Sequence, residues 1–247
     1  MHARLASLLA LSCLFAVSFG LADASASHSW GNYHWARTAN PFTVPLGDSL
    51  TSTSASNWDA HLPIASADWN ASRVLDSPIV ASGANPRRCR ATNGRIEVCN
   101  ASYGFNGWLG VAQIWVKGVH IVKASTKLND SYFSSIAYTE TNEQHVLCQE
   151  IGHGYGLDHQ DESGADLNTC MDYSEALDNP HPNAHDYEQL ETIYAHFDST
   201  STVGTTTATS GRVIHRRDGL RSSYTVEDLG RGFRLHTHIF WAVPGIS

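Results

Sequence analysis

Five residues of one short stretch constrain this chain more than any other part of its sequence: Gln149, Glu150, His153, Gly156 and His159. On a helix, Gln149 and His153 lie on one face because they are four residues apart. Gly156 permits a turn with positive φ that ends the helix, so the chain can bring His159 back to the same place. The spacing predicts a metal site with a carboxylate placed to take a proton from a metal-bound water.

A second motif, Met171 with Tyr173 two residues later, begins twelve residues after His159. Together the two motifs resemble the signature of the metzincins, a family of zinc metalloproteases with the pattern His-Glu-x-x-His-x-x-Gly-x-x-His. Every defined position matches except the first, where this chain has Gln149. The segment at Met171 is similar to the Met-turn of that family, and Tyr173 is similar to a Tyr of its astacin and serralysin branches. The resemblance covers roughly residues 40–197.

The resemblance implies an α+β fold with a twisted mixed sheet, an active-site helix, a Met-turn and a C-terminal helix, to which this chain adds a small C-terminal β segment. It also implies an endopeptidase that hydrolyses peptide bonds of a peptide or protein substrate through a metal-activated water. The predicted division of the chain is a signal peptide at 1–26, a catalytic domain at 27–198, a Ser/Thr-rich linker at 199–211 and a small β unit at 212–247.

The metal that the resemblance implies is Zn²⁺, bound by His153, His159 and, as a weaker third ligand, Gln149. An amide oxygen binds zinc less well than an imidazole does. Three interpretations therefore stay open. Gln149 is a ligand through its oxygen, or it lies near an ion held by the two histidines and another group, or the site holds no metal. The last would make the protein a catalytically inactive binding protein, which is the alternative to the endopeptidase.

Three further residues take roles that the resemblance implies. Glu150 is the expected general base, which afterwards gives the proton to the leaving amine. Tyr173 is the expected donor to the oxyanion, and it is also the best candidate for an additional ligand. Met171 is expected to support the metal site from beneath.

Other titratable residues near the motif give less specific predictions. His145 lies eight residues before His153, a rise of about 12 Å on a helix. The two imidazoles cannot readily bind one ion, so His145 is predicted to lie at the surface or behind a ligand. Asp161 and Glu162 leave three interpretations open: extra ligands, a Ca²⁺ site or a solvated acidic loop.

The tail alternates apolar and polar residues in places, which predicts a strand or hairpin. His236 and His238 are two residues apart and share one face of that predicted strand. We interpret both as ordinary surface groups.

The first residues are typical of a secretory signal. Arg4 is positive, residues 5–21 are mostly apolar, and Ala24 and Ala26 offer a cleavage site. We therefore expect a secreted protein with no membrane contact after the signal is removed. The net charge of −8 and the lack of a long basic run argue against nucleic acid as a partner. The sequence leaves the oligomeric state open.

Four cysteines lie outside the predicted signal and allow three pairings. We favour Cys89 with Cys99, because this pair brackets Asn93-Gly94, a hairpin-turn signal. We also favour Cys148 with Cys170, because this pair would tie the motif helix to the Met-turn. Such bonds persist in exported proteins.

Hydrophobic periodicity predicts the main helices and strands. A strand edge beside the cleft is predicted at residues 118–123, and the resemblance implies that an extended peptide pairs with it. The predicted helices cover residues 58–72, residues 141–155 and a segment after Asn183. The predicted strands cover residues 42–46, 74–80, 110–116 and 120–124.

Overall fold

A computed structural model describes residues 28–53, 55–174, 176–201 and 211–245. The predicted signal peptide at 1–26 lies outside these ranges, as does most of the predicted linker. Within the described ranges, no helix combines the length and the apolar character needed to cross a membrane.

Short helices and strands of mixed direction make up the described chain, which is an α+β arrangement. The helices are α1 (Trp58–Asn70), α2 (Asp130–Phe133), α3 (Glu140–Gly154) and α4 (Ala184–Ile193). The strands are β1 (His34–Trp35), β2 (Phe42–Thr43), β3 (Leu46–Ser49), β4 (Leu75–Asp76), β5 (Ile79–Ala81), β6 (Ile96–Ala101), β7 (Trp108–Lys117), β8 (His120–Asn129), β9 (Arg212–Asp218), β10 (Ser222–Gly230) and β11 (Phe233–Trp241).

The main sheet has the strand order β5-β3-β6-β8-β7-β11-β10-β9, and β1 pairs in addition with β8. Parallel pairs join β5, β3, β6 and β8. Antiparallel pairs join β8, β7, β11, β10 and β9. The sheet is therefore mixed, as the sequence analysis expects, and a separate parallel pair is formed by β2 and β4.

The C-terminal strands extend the main sheet. β11 runs antiparallel to β7, with His238 opposite Ala112 and Phe240 opposite Gly110. β8 lies between β6 and β7. The prediction that residues 118–123 form a strand edge beside the cleft is wrong, because β7 pairs with this part of β8 on one side and β1 pairs with His120 and Ile121 on the other. The next strand, β7, pairs on its other side with β11.

Two of the predicted strands are each split by a proline. Pro45 separates β2 from β3, and Pro78 separates β4 from β5. Proline has no N–H to donate to a ladder, so the chain changes partner at both points. The first halves pair with each other as β2 and β4, whereas β3 and β5 join the main sheet.

The motif helix α3 has well-defined ends. Thr139 caps its start, accepting a hydrogen bond from the Asn142 N–H while the Asn142 side chain accepts one from Thr139. A cap of this kind contributes about 1 kcal/mol. The helix ends at Gly154, and Gly156 adopts a φ of 96°, a region that favours glycine. The chain thereby leaves the helix axis and turns toward His159.

α3 packs against α1 and the segment of Met171. Ile151 on α3 is fully buried, and Trp69 on α1 donates its Nε1–H to the carbonyl of Cys148 over 3.3 Å. A Cβ at Gly152 would lie 2.5 Å from Met171 Sδ and 2.7 Å from Trp69 Cζ2. The absence of a side chain at Gly152 lets these three segments come together.

The structure contains both favoured disulfides, Cys89–Cys99 and Cys148–Cys170. The expected hairpin at Asn93-Gly94 is wrong, because no strand lies between Cys89 and that turn. β6 follows the turn, and its two sides pair with β3 and β8, which are parallel to it. No side of β6 is left for a hairpin partner.

We predict that Gly152→Ala lowers the free energy of unfolding by about 1 to 2 kcal/mol. Overpacking costs about 1 to 3 kcal/mol, which exceeds the gain of up to about 1 kcal/mol in helix propensity. The control is Gly83→Ala, because a Cβ there meets nothing within 4 Å. Urea unfolding of both variants and the parent measures the difference. A Gly152→Ala protein as stable as the parent would contradict the close packing described above.

Candidate metal centre

Three histidine side chains from different parts of the chain converge in the interior. His153 lies on α3, His159 lies beyond the end of that helix, and His238 lies on β11. One ring nitrogen of each lies within 4.8 Å of the corresponding atoms of the other two. All three side chains are buried. Two predicted ligands thus meet a residue that the motif does not contain.

The His153 ring is held in one orientation. Its Nδ1 lies 2.9 Å from the carbonyl oxygen of Leu157, so an Nδ1–H donor leaves the lone pair on Nε2. This Nε2 is buried and has no hydrogen-bond partner among the described residues. Trp30 stacks on the ring at a centroid distance of 4.7 Å and an angle of 3°. A buried nitrogen of this kind fits a metal ligand, because it otherwise stays unsatisfied.

The His238 ring is oriented by a carboxylate. Its Nδ1 lies 3.2 Å from Oε2 of Glu150, while its Nε2 has no partner in the described part of the chain. A carboxylate in this position fixes the ring and raises the basicity of the ligating nitrogen. A Cβ at Gly110 on β7 would lie 2.7 Å from Glu150 Cγ. The glycine therefore makes room for the carboxylate between α3 and the sheet.

Burial keeps the three imidazoles neutral. It lowers the pKa of His153 to about 3 and that of His238 to about 3. The pKa of His159 is lowered well below its ordinary value by burial, with a further contribution from the other two rings. Neutral imidazoles retain the lone pair that a metal needs. Burial also raises the pKa of the Glu150 carboxyl to about 8, and the proximity of His153 opposes that rise.

The donor set fits a zinc ion. Neither ring nitrogen of His159 has a hydrogen-bond partner among the described residues, although the Asp158 carboxylate lies 3.8 Å from its Nδ1. Three imidazole nitrogens with a fourth position left for water or substrate is an arrangement that catalytic zinc sites use. His153, His159 and His238 would hold the ion.

Gln149 makes contacts that differ from those of a histidine ligand. Its amide Nε2 donates to the carbonyl of Cys170 over 2.8 Å and to that of Asp172 over 3.0 Å. The amide thereby joins α3 to the segment around Met171. Its Oε1 is buried and without a partner among the described residues. Metal ligation by Gln149 stays a prediction, and His238 supplies the further group that one of the three interpretations requires.

The two residues predicted beside the metal lie close to the centre. Met171 is fully buried next to Gly152 of α3. The ring of Tyr173 lies 5.1 Å from that of His159. Its hydroxyl oxygen accepts hydrogen bonds from the backbone N–H groups of Arg221 and Ser222, over 3.0 and 2.9 Å. The hydroxyl is thus engaged by the loop before β10, and its predicted role toward an oxyanion stays a prediction.

The acidic residues after the motif have local partners. Glu162 pairs with Arg217 over 2.6 Å. Asp161 accepts a hydrogen bond from the N–H of Ser163 over 2.6 Å. Neither carboxylate joins the three-histidine group. The choice between extra ligands, a Ca²⁺ site and a solvated loop stays a prediction, and the local contacts agree with a loop.

Sequence reasoning missed His238. The interpretation of His236 and His238 as surface groups is wrong, because each is only 1% exposed. His236 shares a hydrogen bond with the Tyr224 hydroxyl, and His238 enters the metal centre. The surface alternative for His145 is also wrong, since it is fully buried and faces Phe240. The sequence offered one signal for this residue. Gln149 stands where the motif has its first histidine, so a third imidazole would have to come from another part of the chain.

A cavity of about 520 Å³ adjoins the centre on the side of Tyr173. Leu220 forms part of its apolar wall, and Glu162 and Arg217 contribute opposite charges. Tyr173 lines this cavity and its ring lies 5.1 Å from that of His159, whereas none of the three histidines lines the cavity.

Comparison with known proteins adds one distant structural likeness. No family model matches the chain, and no curated protein matches it either. Among solved structures, the chain is similar to high choriolytic enzyme 1, a hatching-enzyme zinc protease of Oryzias latipes (medaka fish). The identity is 12% and the TM-score 0.34, over 66% of this chain and 94% of the other. A likeness at this TM-score and identity supports no conclusion about function.

We predict that Gln149→Met lowers the free energy of unfolding by about 1 to 3 kcal/mol, because two buried carbonyls lose their donor. Zinc stoichiometry should stay that of the parent, since all three imidazoles remain. Elemental analysis and urea unfolding of the same preparation check both parts. Loss of one zinc per chain would instead assign Gln149 as a ligand.

Proposed function

We propose that this protein is a secreted, zinc-dependent endopeptidase of the metzincin type, in which His238 replaces the first histidine of the motif. The observation that carries the proposal is the set of three neutral imidazoles from His153, His159 and His238. Each has a buried nitrogen without a hydrogen-bond partner in the described ranges. Three imidazoles beside the carboxylate of Glu150 are the groups that a hydrolytic zinc site requires.

Glu150 is the residue that moves the proton. A zinc ion, when bound, supplies a nucleophilic water at neutral pH and polarises the carbonyl. Oε2 of Glu150 keeps His238 oriented, whereas Oε1 has no partner within the described residues and is the atom that accepts the proton. Burial raises the pKa of this carboxyl. A bound cation would favour the ionised carboxylate, which can take the proton and pass it to the leaving amine nitrogen.

The substrate approaches from the side of Tyr173 in this proposal. β11 occupies the side of β7 that faces away from β8, so a peptide does not add to the sheet there. The cavity beside Tyr173 offers the remaining space, with Leu220 for apolar contact and Arg217 and Glu162 for charged groups. Tyr173 forms its inner wall next to His159. In this proposal a side chain of the substrate occupies the cavity.

The burial of the centre favours a second candidate, a zinc-binding protein without peptidase activity. Glu150 and His153 are fully buried, and Trp30 covers the His153 ring. In that case the ion would join β11 to α3 as a structural crosslink. Both candidates use the same three ligands and differ only in whether Glu150 reaches a substrate.

We predict that Glu150→Gln retains the zinc of the parent and lowers kcat on a labelled protein substrate by about 10²- to 10⁴-fold, the usual contribution of a general base. The amide oxygen of Gln still accepts the His238 N–H, so the ligand stays oriented.

His238→Asn should lose both one zinc per chain and the activity. Elemental analysis and a fluorescence assay on the same samples measure the two effects.

The matched control is His215→Asn, which changes an exposed histidine of the same tail. Its zinc content and activity should equal those of the parent. A parent that holds zinc at His238 but cleaves nothing would support the binding protein instead. A His238→Asn protein with the zinc content and activity of the parent would overturn the ligand set.

A further inference from the structure

A second group of metal-ligand side chains lies away from the three-histidine centre. His34 on β1, His120 at the start of β8 and Asp198 beyond α4 each offer a ligand atom within 4.8 Å of the others. His196, also beyond α4, places its Nε2 3.2 Å from the Nε2 of His34. Three imidazoles and a carboxylate thus come from three distant parts of the chain.

The ligand atoms of this group lie close together. Oδ1 of Asp198 lies 3.1 Å from His120 Nε2 and 3.8 Å from His196 Nε2, and Oδ2 lies 3.5 Å from His34 Nε2. Ligands bound to zinc at 2.0 to 2.1 Å in tetrahedral geometry are about 3.3 to 3.4 Å apart. These contacts are close to that spacing, and side-chain adjustment would bring one carboxylate oxygen and the imidazoles to one ion.

Neighbouring groups orient the ligands. His34 Nδ1 lies 2.8 Å from the carbonyl of Asn32, so an Nδ1–H donor leaves its Nε2 with a lone pair. Arg37 donates to the carbonyl of His196 and to Oδ2 of Asp198. One guanidinium therefore holds both the backbone carbonyl of His196 and the carboxylate of Asp198 in place.

An ordinary ion-pair network explains these contacts less completely. Arg37 already balances the charge of Asp198. The three imidazoles are additional, and the His34 ring meets those of His120 and His196 at 85° and 88°. His34 is also buried, and its Nε2 lies close to both His196 Nε2 and the Asp198 carboxylate. Ring nitrogens and a carboxylate that lie this close together are the groups that bind a divalent cation.

We propose that His34, His120, His196 and Asp198 form a second zinc site, distinct from the centre at His153. Three imidazoles and one carboxylate are a donor set that suits Zn²⁺. Because the protein supplies all four ligands, the ion has no open position and its role is structural rather than catalytic.

This site joins the segment before β2 (residues 28–41, the N-terminal arm) to the sheet and to the end of α4. Two residues of the arm, Trp30 and Trp35, contact the region of the first centre. Trp30 stacks on His153, and the Trp35 Nε1–H donates to the carbonyl of Gly154 over 3.0 Å. Zinc at the second site thus holds in place the arm that covers the first.

The test is a zinc titration of metal-free protein against a chromophoric chelator. The parent should bind two zinc ions per chain, and both His238→Asn and the double variant His120→Asn/His196→Asn should bind one. In the double variant the affinity of the second site should fall by about 100-fold or more, since loss of even an outer partner of a ligand costs 10- to 100-fold. The triple variant should bind none.

The control is His181→Asn, which changes a half-exposed histidine that pairs with Asp68 outside both groups. It should bind two ions. A His238→Asn protein with the circular dichroism of the parent and no bound zinc would overturn the second site. A double variant that still binds two ions would also overturn the second site. This outcome keeps the test decisive even if the His238→Asn chain does not fold. One ion lost only in the double variant would support this site and contradict the first.

A second readout is thermal stability. Zinc should raise the Tm of His238→Asn, where only the second site remains, and should leave the Tm of the triple variant unchanged. An equal rise in both proteins would assign the effect to non-specific binding and contradict the proposal.

Discussion

The antiparallel pairing of β11 with β7 is the interaction on which the candidate metal centre depends. It places His238 opposite Ala112, where the side chain reaches the same interior space as His153 and His159. Side chains alternate between the two faces of a strand, so a slip of one residue would turn His238 to the other face. Gly110 on β7 contributes by leaving room for Glu150. The candidate metal centre of this chain therefore depends on sheet register.

Burial of the centre also links metal binding to folding. Glu150 and three imidazoles are enclosed with several polar atoms unsatisfied within the described residues. Such burial costs free energy unless a partner is present. A divalent cation, as proposed above, would offset that cost by satisfying three nitrogens and by balancing the carboxylate. The disulfide Cys148–Cys170 and the Gln149 amide hold α3 against the segment of Met171, which fixes the side of the candidate centre opposite β11.

Local patterns predicted the parts of the structure that local interactions determine. The helix at α3 and the turn at Gly156 follow from spacing over a few residues, and the two disulfides close loops of only 10 and 22 residues. The position of His238 does not follow from local spacing, because its partners lie far away in sequence. A strand with alternating apolar and polar residues has the same pattern whether its second face is buried or exposed to solvent. The same limit explains the wrong prediction of a strand edge at 118–123, since only tertiary pairing shows that β8 and β7 are both covered.

His238 is also the last of the three histidines to leave the ribosome. A growing chain that has passed the motif holds two imidazoles and lacks the third until the tail has emerged and added its strand to the sheet. The candidate ligand set is therefore complete only once β11 has been synthesised and has paired with β7.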